Sequence, residues 1–320
     1  MQLKIEQLKV SEYKRLICIS DIHGEPDLLR TLLDKVGFCD DDVLVVLGDI
    51  FLKGSQPHAC LRYVMKLDER PNVHVLRGNC DFAWTDGEYP GGTPYLNDAD
   101  VAWLEGLPHI IESEDFIFVH AGINSQNLAD QDPQYCMRND AFLENYNGPP
   151  FEKWVMVGHW SNVCCCRCIP NHNPIVDTTK RIIAIDGGNV VNTDGQLNAF
   201  IVKDSEFSWT YADKFSAMTM KSAQTGNPGT LNIAWPNRFV DIMESGAEFS
   251  QVRHLASGKI LTVPTGEIWQ DNNGNTCISA MATDHWHTVS IDDTVYVVEV
   301  FSDRIFAKKD GISGWILKEE

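Results

Sequence analysis

The stretch Leu16-Ile-Cys-Ile-Ser-Asp-Ile-His-Gly24 decides the fold. Its first four residues, Leu16–Ile19, are typical of a short buried strand, and polar residues follow them at once. Asp21 and His23 lie two positions apart, so both side chains point to the same side of an extended segment and can hold one cation. The stretch therefore predicts a buried strand whose carboxyl end carries a pair of metal ligands.

Five further apolar runs resemble this one, and each is followed within two residues by a Gly, Asp or His. They are Val43–Leu47, Val73–Leu76, Phe116–Val119, Val155–Val157 and Ile182–Ile185. Leucine and valine side chains recur at helical spacing in other segments. These segments are Pro26–Val36, Pro57–Leu67 and Asp100–Leu107. Strands that alternate with helices in this way indicate an α/β fold.

The residues that follow these strands are of metal-ligating types. Asp49, Asn79, His120 and His159 come after the second to fifth runs, each with a glycine nearby. Ligand sites in α/β sheets gather beyond the carboxyl ends of strands. A nitrogen and oxygen donor set without thiolate suits Mn, Fe or Zn, and two such ions about 3.5–4 Å apart clamp a phosphate ester. We expect Asp21 and His23 to hold one ion, Asn79, His120 and His159 the other, and Asp49 to bridge them.

The whole series of motifs carries a family resemblance. Over about residues 14–204 the chain resembles the calcineurin-like metallophosphoesterase superfamily, in the units DxHG, GD, GN, HAG and GH. The segments Leu76–Asn79 and Val119–Gly122 are similar to the branch of Ser/Thr protein phosphatases and their bacterial relatives. The resemblance implies a four-layer αββα sandwich, the six ligands above, and attack on phosphorus by a hydroxide that the two ions generate.

Two motifs depart from the family pattern. The second usually reads GDxVDRG, and Leu52 and Lys53 stand here in place of its second Asp and its Arg. The third usually reads GNHE, and here it is Gly78-Asn-Cys-Asp81, a version that resembles smaller superfamily members acting on phosphodiesters. In the protein phosphatases the missing His and Asp together protonate the leaving group. Without that acid a serine alkoxide leaves about 10²–10⁴-fold more slowly, and Cys80, with an ordinary pKa near ~8.5, is a weak replacement.

Phosphate recognition requires basic groups beside the metal ions. Lys53 occupies the position of the family's arginine and supplies a charge without a bidentate fork. Arg138, 18 residues after His120, is the second candidate for holding a phosphate oxygen. Arg77 is expected to support the loop of Asn79. Asp186 is expected to orient His159 or a metal-bound water.

The pattern changes after about Asp204. Short strands with turns are predicted at Lys259–Val263, Gly266–Gln270, Cys277–Ala280, His287–Ile291, Val295–Phe301 and Gly314–Leu317. Over about residues 250–318 they resemble a bacterial SH3-like barrel. We therefore expect a metallophosphoesterase domain at 1–204, a linker at 205–249 and an SH3-like β domain at 250–320. That last domain is either a module that binds a peptide or protein partner or a cap that buries apolar surface.

Composition limits the partners. The net charge is −19, so nucleic acid and anionic membrane surfaces are not expected to bind. The chain has no run of 18 apolar residues, and its start, MQLKIEQLKVSEYKR, lacks a signal-peptide core. Ten cysteines without a secretory signal are typical of reduced thiols, which favours a cytoplasmic location. The pair Cys165 and Cys168 lacks the second pair that a zinc site needs.

These observations predict a binuclear phosphoesterase with two Mn, Fe or Zn ions. The first interpretation is a Ser/Thr protein phosphatase-like enzyme acting on a phosphoprotein or a small phosphoester, with Asp49, Lys53, Arg138 and Cys80 at the reacting centre. The first alternative, motivated by the missing His, is a phosphodiesterase or dinucleoside polyphosphate hydrolase. The second is a regulatory binding scaffold of low activity, which the intact ligand set disfavours.

Overall fold

The computed structural model describes residues 1–85 and 96–318. The chain folds into two compact units, each assembled from three segments. The first unit comprises Met1–Asn162, Asn173–Val191 and Gly195–Asp213, and the second comprises Val163–His172, Asn192–Asp194 and Lys214–Glu320. The chain therefore enters the second unit twice before its carboxy-terminal part begins.

The first unit contains eleven of the described strands and most of the helices. The strands are β1 (Ile5–Gln7), β2 (Arg15–Ile19), β3 (Asp42–Val46), β4 (Val73–Val75), β5 (Ile110–Glu112), β6 (Phe116–Val119), β7 (Trp154–Val157), β8 (Ile175–Asp177), β9 (Ile182–Ala184), β10 (Leu197–Lys203) and β11 (Glu206–Ala212). The helices are α1 (Pro26–Val36), α2 (Pro57–Asp68), α3 (Asn79–Thr85), α4 (Asp98–Gly106), α5 (Pro133–Arg138) and α6 (Phe142–Asn145). A further helix, α7 (Asn162–Cys165), begins at the end of the first segment, and short 3₁₀ turns lie at Val10–Glu12 and Leu128–Asp130.

These strands form two mixed sheets. The five-stranded sheet has the order β11-β10-β2-β3-β4, and β2, β3 and β4 are parallel. The six-stranded sheet has the order β1-β5-β6-β7-β9-β8, and β6, β7 and β9 are parallel. Parallel neighbours end on the same side, so the loops after β2, β3 and β4 lie together, as do those after β6, β7 and β9.

Three apolar clusters separate the layers. One holds residues from both sheets, including Cys18, Val45, Phe118 and Met156. The second packs the opposite face of the five-stranded sheet against α1, α2 and α4. The third packs the other face of the six-stranded sheet against α5 and α6. The first unit is therefore a sandwich of two sheets between helical layers, as the sequence predicts.

The predicted helices are confirmed, and local signals set their ends. Helix α1 begins at Pro26, whose fixed φ suits a first helical position, and ends at Gly37, which adopts a left-handed φ of 60°. Helix α4 begins two residues earlier than predicted. Asn97 caps it by accepting a hydrogen bond from the backbone N–H of Asp100, whose side chain bonds the Asn97 N–H in return.

The second unit consists mainly of short strands. They are β12 (Ser216–Thr219), β13 (Asn232–Ala234), β14 (Val240–Glu244), β15 (Phe249–His254), β16 (Ile260–Pro264), β17 (Ile268–Gln270), β18 (Thr276–Ile278), β19 (Met281–Thr283), β20 (Thr294–Val300), β21 (Arg304–Lys309) and β22 (Ile312–Leu317), with a 3₁₀ turn at Thr265–Glu267. Two apolar clusters lie inside it, one around Ile233, Val252 and Val263 and one around Val295, Ala307 and Ile316.

Five of the six strands predicted for this part overlap observed strands, at β16, β17, β18, β20 and β22. The turn at Asp271–Gly274 joins β17 to β18, where the Gly274 N–H donates to the Asp271 carbonyl over 2.9 Å. The strand predicted over His287–Ile291 is wrong, since Val289 makes only an isolated bridge to Gln224. Residues 205–249, expected as a linker, carry β11 to β14. No helix among the described residues is long and apolar enough to cross a bilayer.

Candidate metal centre

The six predicted ligands follow five parallel strands of the two sheets. Asp21 and His23 come after β2, Asp49 after β3, Asn79 after β4, His120 after β6 and His159 after β7. Contacts between these side chains join the two sheets at one place. The structure thus brings all six predicted ligands together.

The backbone at this place is strained. Asp21, His23, Asp49 and His159 all have positive φ, at 56°, 49°, 53° and 65°. Residues with a Cβ rarely adopt this region, and each such residue costs on the order of 1–3 kcal/mol. Such strain persists where the surrounding structure holds it, and it clusters at functional sites.

Two glycines permit the close approach of the ligand loops. A Cβ added at Gly78 would lie 2.2 Å from Asp49 Oδ1. One added at Gly158 would lie 1.7 Å from Ser20 Oγ and 2.5 Å from Asp21 Oδ2. Both contacts are far below van der Waals separation, so only glycine fits at these positions.

Asp21, His23 and Asp49 form the first group of candidate ligands. His23 Nε2 lies 3.6 Å from Asp21 Oδ1 and 3.8 Å from Asp49 Oδ2, and all three side chains are buried. Burial, together with the charge of Asp49, raises the pKa of Asp21 to about 7. Burial lowers the pKa of His23 to about 3, so its ring is neutral and can donate a lone pair. A cation between these groups would relieve the repulsion of the two carboxylates.

Asn79, His120 and His159 form the second group. Asn79 Oδ1 lies 2.9 Å from both His120 Nε2 and His159 Nδ1. The Nδ1–H of His120 donates to the Leu47 carbonyl over 2.6 Å, which leaves Nε2 free of hydrogen and facing Asn79. His120 Nε2 is also 3.5 Å from Asp49 Oδ1. Three atoms that can ligate a metal ion, one from each of these side chains, therefore lie close together beside Asp49.

Asp49 lies between the two groups and is held there by backbone donors. Its Oδ1 accepts a hydrogen bond of 2.8 Å from the Cys80 N–H. Burial opposes its ionisation, but the neighbouring groups His120, His23 and Lys53 outweigh burial and hold its pKa well below its usual value. Asp49 therefore stays ionised, with one oxygen facing each group.

The donor set fits hard or borderline cations. Two sets of three possible ligand atoms lie within 4.8 Å of one another. One set comes from Asp21, Asp49 and His120, and the other from His23, Asp49 and Cys80. The buried Nδ1 of His23 has no hydrogen-bond partner in the described structure. Carboxylate, amide and imidazole donors suit Mn, Fe or Zn.

The predicted phosphate-binding residues lie at different places. The ammonium of Lys53 is 3.4 Å from His23 Nε2. Burial works against its charge, but the nearby carboxyl groups of Asp49 and Asp21 help to keep its pKa above the usual value. Arg138 stacks over the ring of Phe82, 5.1 Å from its centroid, and Arg77 stacks over the same ring at 4.9 Å. Lys53 is thus beside the ligands, while the role of Arg138 stays a prediction.

The structure adds two acids that sequence reasoning did not place. Asp81 accepts hydrogen bonds from the backbone N–H groups of Asp49, Ile50 and Gly78, over 2.8, 3.0 and 2.9 Å, and so ties the loop after β3 to the loop after β4. Because Asp81 is the last residue of the third motif, its place next to the candidate ligands could have been predicted from the sequence. Asp140 lies 2.9 Å from His159 Nε2, and no motif marks it.

Asp186 was expected to orient His159 or a metal-bound water, and it makes no hydrogen bond to the His159 ring. Its carboxylate instead accepts hydrogen bonds from the Gly188 N–H over 2.7 Å and from the Ser161 hydroxyl over 3.4 Å. Burial, with the nearby charge of Asp21, raises its pKa to about 7. Asp186 therefore anchors the loop that follows His159, and the ring itself bonds Asp140.

Comparison with known proteins agrees with this geometry. The family model for calcineurin-like phosphoesterases matches residues 14–191, which is more than half of the chain. The chain belongs to this family. Residues 14–191 are accordingly a calcineurin-like phosphoesterase domain.

Its relatives bear a more specific name. The symmetrical bis(5'-nucleosyl)-tetraphosphatase of Vibrio campbellii is 29% identical over 159 residues, which cover 45% of this chain and 56% of that protein. The enzyme of the same name from Neisseria meningitidis is 30% identical over 121 residues, 34% of this chain and 43% of that protein. The chain thus spans about half the length of the curated relatives it matches.

The fold also has a relative among solved structures. A crystal structure of a protein provisionally named a diadenosine tetraphosphatase superposes with a TM-score of 0.52 at 19% identity. The match covers 66% of this chain and 99% of that one. At this identity the likeness concerns the fold alone.

Proposed function

We propose that this protein hydrolyses dinucleoside polyphosphates by cleaving a phosphoanhydride bond at the metal centre. The observation that carries the proposal is the replacement of the family's leaving-group acid. Cys80 and Leu52 stand where the protein phosphatases have a His and its partner Asp. The substrate should therefore be one whose leaving group departs without a proton.

The two replacements cannot serve as an acid pair. Burial, with the charge of Asp49, raises the pKa of the Cys80 thiol far above its usual value, so the thiol gives up its proton reluctantly. Leu52 packs against the apolar cluster beneath α1 and α2, and it has no polar atom to orient a donor. Proton transfer to a serine alkoxide is thus poorly supported at this position.

A phosphoanhydride suits such a site. When the bond between two phosphates breaks, the leaving group is a nucleoside phosphate, which is stable as an anion near neutral pH. A serine or sugar alkoxide is a much stronger base and requires protonation as it leaves. The loss of the acid pair therefore reduces hydrolysis of phosphoserine more than hydrolysis of a polyphosphate.

The residues of the chain have separate tasks in this reaction. Two divalent cations in the centre would polarise phosphoryl oxygens and lower the pKa of a bound water. Asp49 and the five other ligands would fix the positions of the cations, and the ligand strain described above would be maintained by the two sheets. The Lys53 ammonium, next to His23, offsets the charge of an additional phosphate oxygen.

The names of the relatives support the same substrate class, since both curated relatives reported above are called symmetrical tetraphosphatases. Their symmetrical cleavage would yield two nucleoside diphosphates from one dinucleoside tetraphosphate. Because the matched region is about half of each relative, the activity of this whole chain is our proposal.

The test is a comparison of three substrates with the Mn²⁺-loaded protein. We expect diadenosine tetraphosphate to be hydrolysed to ADP alone, as seen by chromatography, at a kcat/KM at least 10²-fold above that for a phosphoserine peptide. An aryl phosphate monoester, whose leaving group is weakly basic, should react at an intermediate rate. Faster hydrolysis of the phosphopeptide would favour the protein phosphatase interpretation, and no hydrolysis of any substrate would favour the scaffold.

A substitution at Cys80 tests the argument about the acid. Cys80→His restores an imidazole at this position and should raise phosphopeptide hydrolysis relative to tetraphosphate hydrolysis. Cys168→Ser, at an exposed thiol, is the control and should leave the ratio unchanged. An unchanged ratio in Cys80→His, with metal content intact, would contradict the proposal.

The remaining expectations also stay proposals. We propose that residues 250–320, within the second unit, form an SH3-like β domain that binds a peptide or protein partner. The exposed Trp269 of this domain, with the Arg238 guanidinium 5.1 Å from its ring centroid, supports this. The number and identity of the metal ions and the cytoplasmic location are proposed on the sequence arguments alone.

A further inference from the structure

Both nitrogens of the His159 ring have a defined neighbour. Nδ1 lies 2.9 Å from Asn79 Oδ1, in the second group of ligands. Nε2 lies 2.9 Å from Asp140 Oδ1. Both neighbours are acceptors, and the charged carboxylate is the stronger of the two. The proton of a neutral His159 therefore belongs on Nε2, and Nδ1 presents its lone pair to the metal position.

We propose that Asp140 is a positioning residue that fixes the tautomer and orientation of His159 for the second metal ion. The proposal rests on the proposed binuclear function. Carboxylates and carbonyls commonly hold the second nitrogen of a metal-ligating histidine in this way, and their loss costs 10–100-fold in metal affinity.

His120, the neighbouring candidate ligand, is also oriented by a hydrogen bond from its second ring nitrogen, but to a different kind of acceptor. His120 donates its Nδ1–H to the Leu47 carbonyl, a backbone group at the end of the parallel sheet. His120 is fully buried, whereas the side chain of Asp140 is 66% exposed. One ligand of the second ion is thus fixed by buried backbone and the other by an exposed side chain.

The location of Asp140 explains why His159 depends on it. Asp140 lies in the loop between α5 and α6, next to Ala141, which has a positive φ of 53°. His159 itself has a φ of 65°, and its backbone N–H donates to Asp21 Oδ2 over 2.9 Å. The backbone of His159 is therefore anchored at the first group, while its ring is oriented from the α5–α6 loop.

The test measures metal binding without substrate. Titration calorimetry of the metal-free full chain with Mn²⁺ should show two ions for the wild type. In Asp140→Ala the second ion should bind 10–100-fold more weakly and the first unchanged. Asp140→Asn keeps an oxygen that can accept the hydrogen bond, so its loss should be smaller. Nitrogen NMR of His159 should show the proton on Nε2 in the wild type.

Asp132→Asn is the matched control. It removes a charge from the same segment, and asparagine replaces aspartate well at the first residue before α5, where Asp132 accepts a hydrogen bond from the Gln134 N–H. Its Mn²⁺ binding should equal that of the wild type. Because Asp140 is exposed, Asp140→Ala should also keep the wild-type melting temperature.

Two results would overturn the inference: Asp140→Ala binding both ions as the wild type does, or a proton on Nδ1 of His159. Failure of the proposed function looks different. If the wild type binds two ions with the expected dependence on Asp140 but hydrolyses no dinucleoside polyphosphate, the substrate proposal fails and the role of Asp140 stands.

Discussion

Single residues determine whether the ligand loops can meet. The centre requires Gly158 next to Ser20, because the Ser20 hydroxyl donates to Asp21 Oδ2 and the same oxygen accepts the His159 N–H. The loops after β2 and β7 therefore touch through backbone and short side chains. No larger residue fits between them.

Gly158→Ala tests this packing. The added methyl would lie 1.7 Å from Ser20 Oγ, so Asp21 or the loop after β7 must move. We expect a loss of about 1–3 kcal/mol in the free energy of unfolding and at least a 10-fold loss of metal affinity. Urea unfolding and Mn²⁺ titration measure the two effects. Gly106→Ala, where nothing lies within 4 Å, should change neither, and a wild-type Gly158→Ala protein would refute the argument.

At the scale of elements, β11 shows where the first unit ends. It pairs with β10 along seven residues, from Leu197 opposite Ala212 to Lys203 opposite Glu206. The ring of Phe207 lies 5.1 Å from that of Trp154 and 5.4 Å from that of Phe200. The strand is thus part of the sheet sandwich, although the sequence suggested a linker there.

Phe207→Ala should therefore destabilise the first unit. Replacing a buried Phe with Ala costs about 3–5 kcal/mol, and Phe207 is only partly buried, so we expect about 2–3 kcal/mol in the free energy of unfolding. The exposed neighbour Ser208 gives the control Ser208→Ala, which should have the stability of the wild type. Equal stabilities of the two variants would mean that β11 contributes little to the sandwich.

The strands around the site could be predicted from the sequence, but the tertiary contacts of other segments could not. Buried parallel strands such as Phe116–Val119 are apolar runs that end at a candidate ligand, so both the strand and the candidate ligand are visible in the sequence. Asp140 lies in a loop without periodicity or motif, and only the fold brings it to His159. Strand β11 alternates weakly between exposed and buried residues, and its pairing with β10 is decided by tertiary contacts.

At the scale of the whole molecule, the second unit depends on two segments from the middle of the chain. His172 lies in Val163–His172 and Asp194 in Asn192–Asp194, and their side chains form a buried ion pair of 2.8 Å. Asp194 also interacts with Ser313 of β22. Contacts between three separate parts of the sequence therefore hold this unit together. The sequence analysis divided the chain into consecutive domains and did not predict such contacts.

This pair makes the second unit sensitive to acid. Burial opposes the ionisation of Asp194, but the charge and hydrogen bond of His172 outweigh it and lower the pKa of Asp194 to about 2. A carboxyl group with a lowered pKa in the folded state binds fewer protons than in the unfolded state. Its contribution to stability is thus complete above the unfolded value near ~3.9 and is lost as the pH falls through about 2.

We expect Asp194→Asn to remove about 2 kcal/mol of stability at neutral pH and to flatten the loss of stability between pH 4 and 2. Urea unfolding at pH 7 and pH 3, followed by the fluorescence of the tryptophans in the second unit, measures both effects. They include Trp286 and Trp315. Asp292→Asn, at an exposed carboxylate with a φ of 70° that asparagine tolerates, is the control. If Asp194→Asn and Asp292→Asn share one pH dependence, the buried pair does not stabilise the unit, because Asp194, unlike Asp292, lies at hydrogen-bond distance from His172.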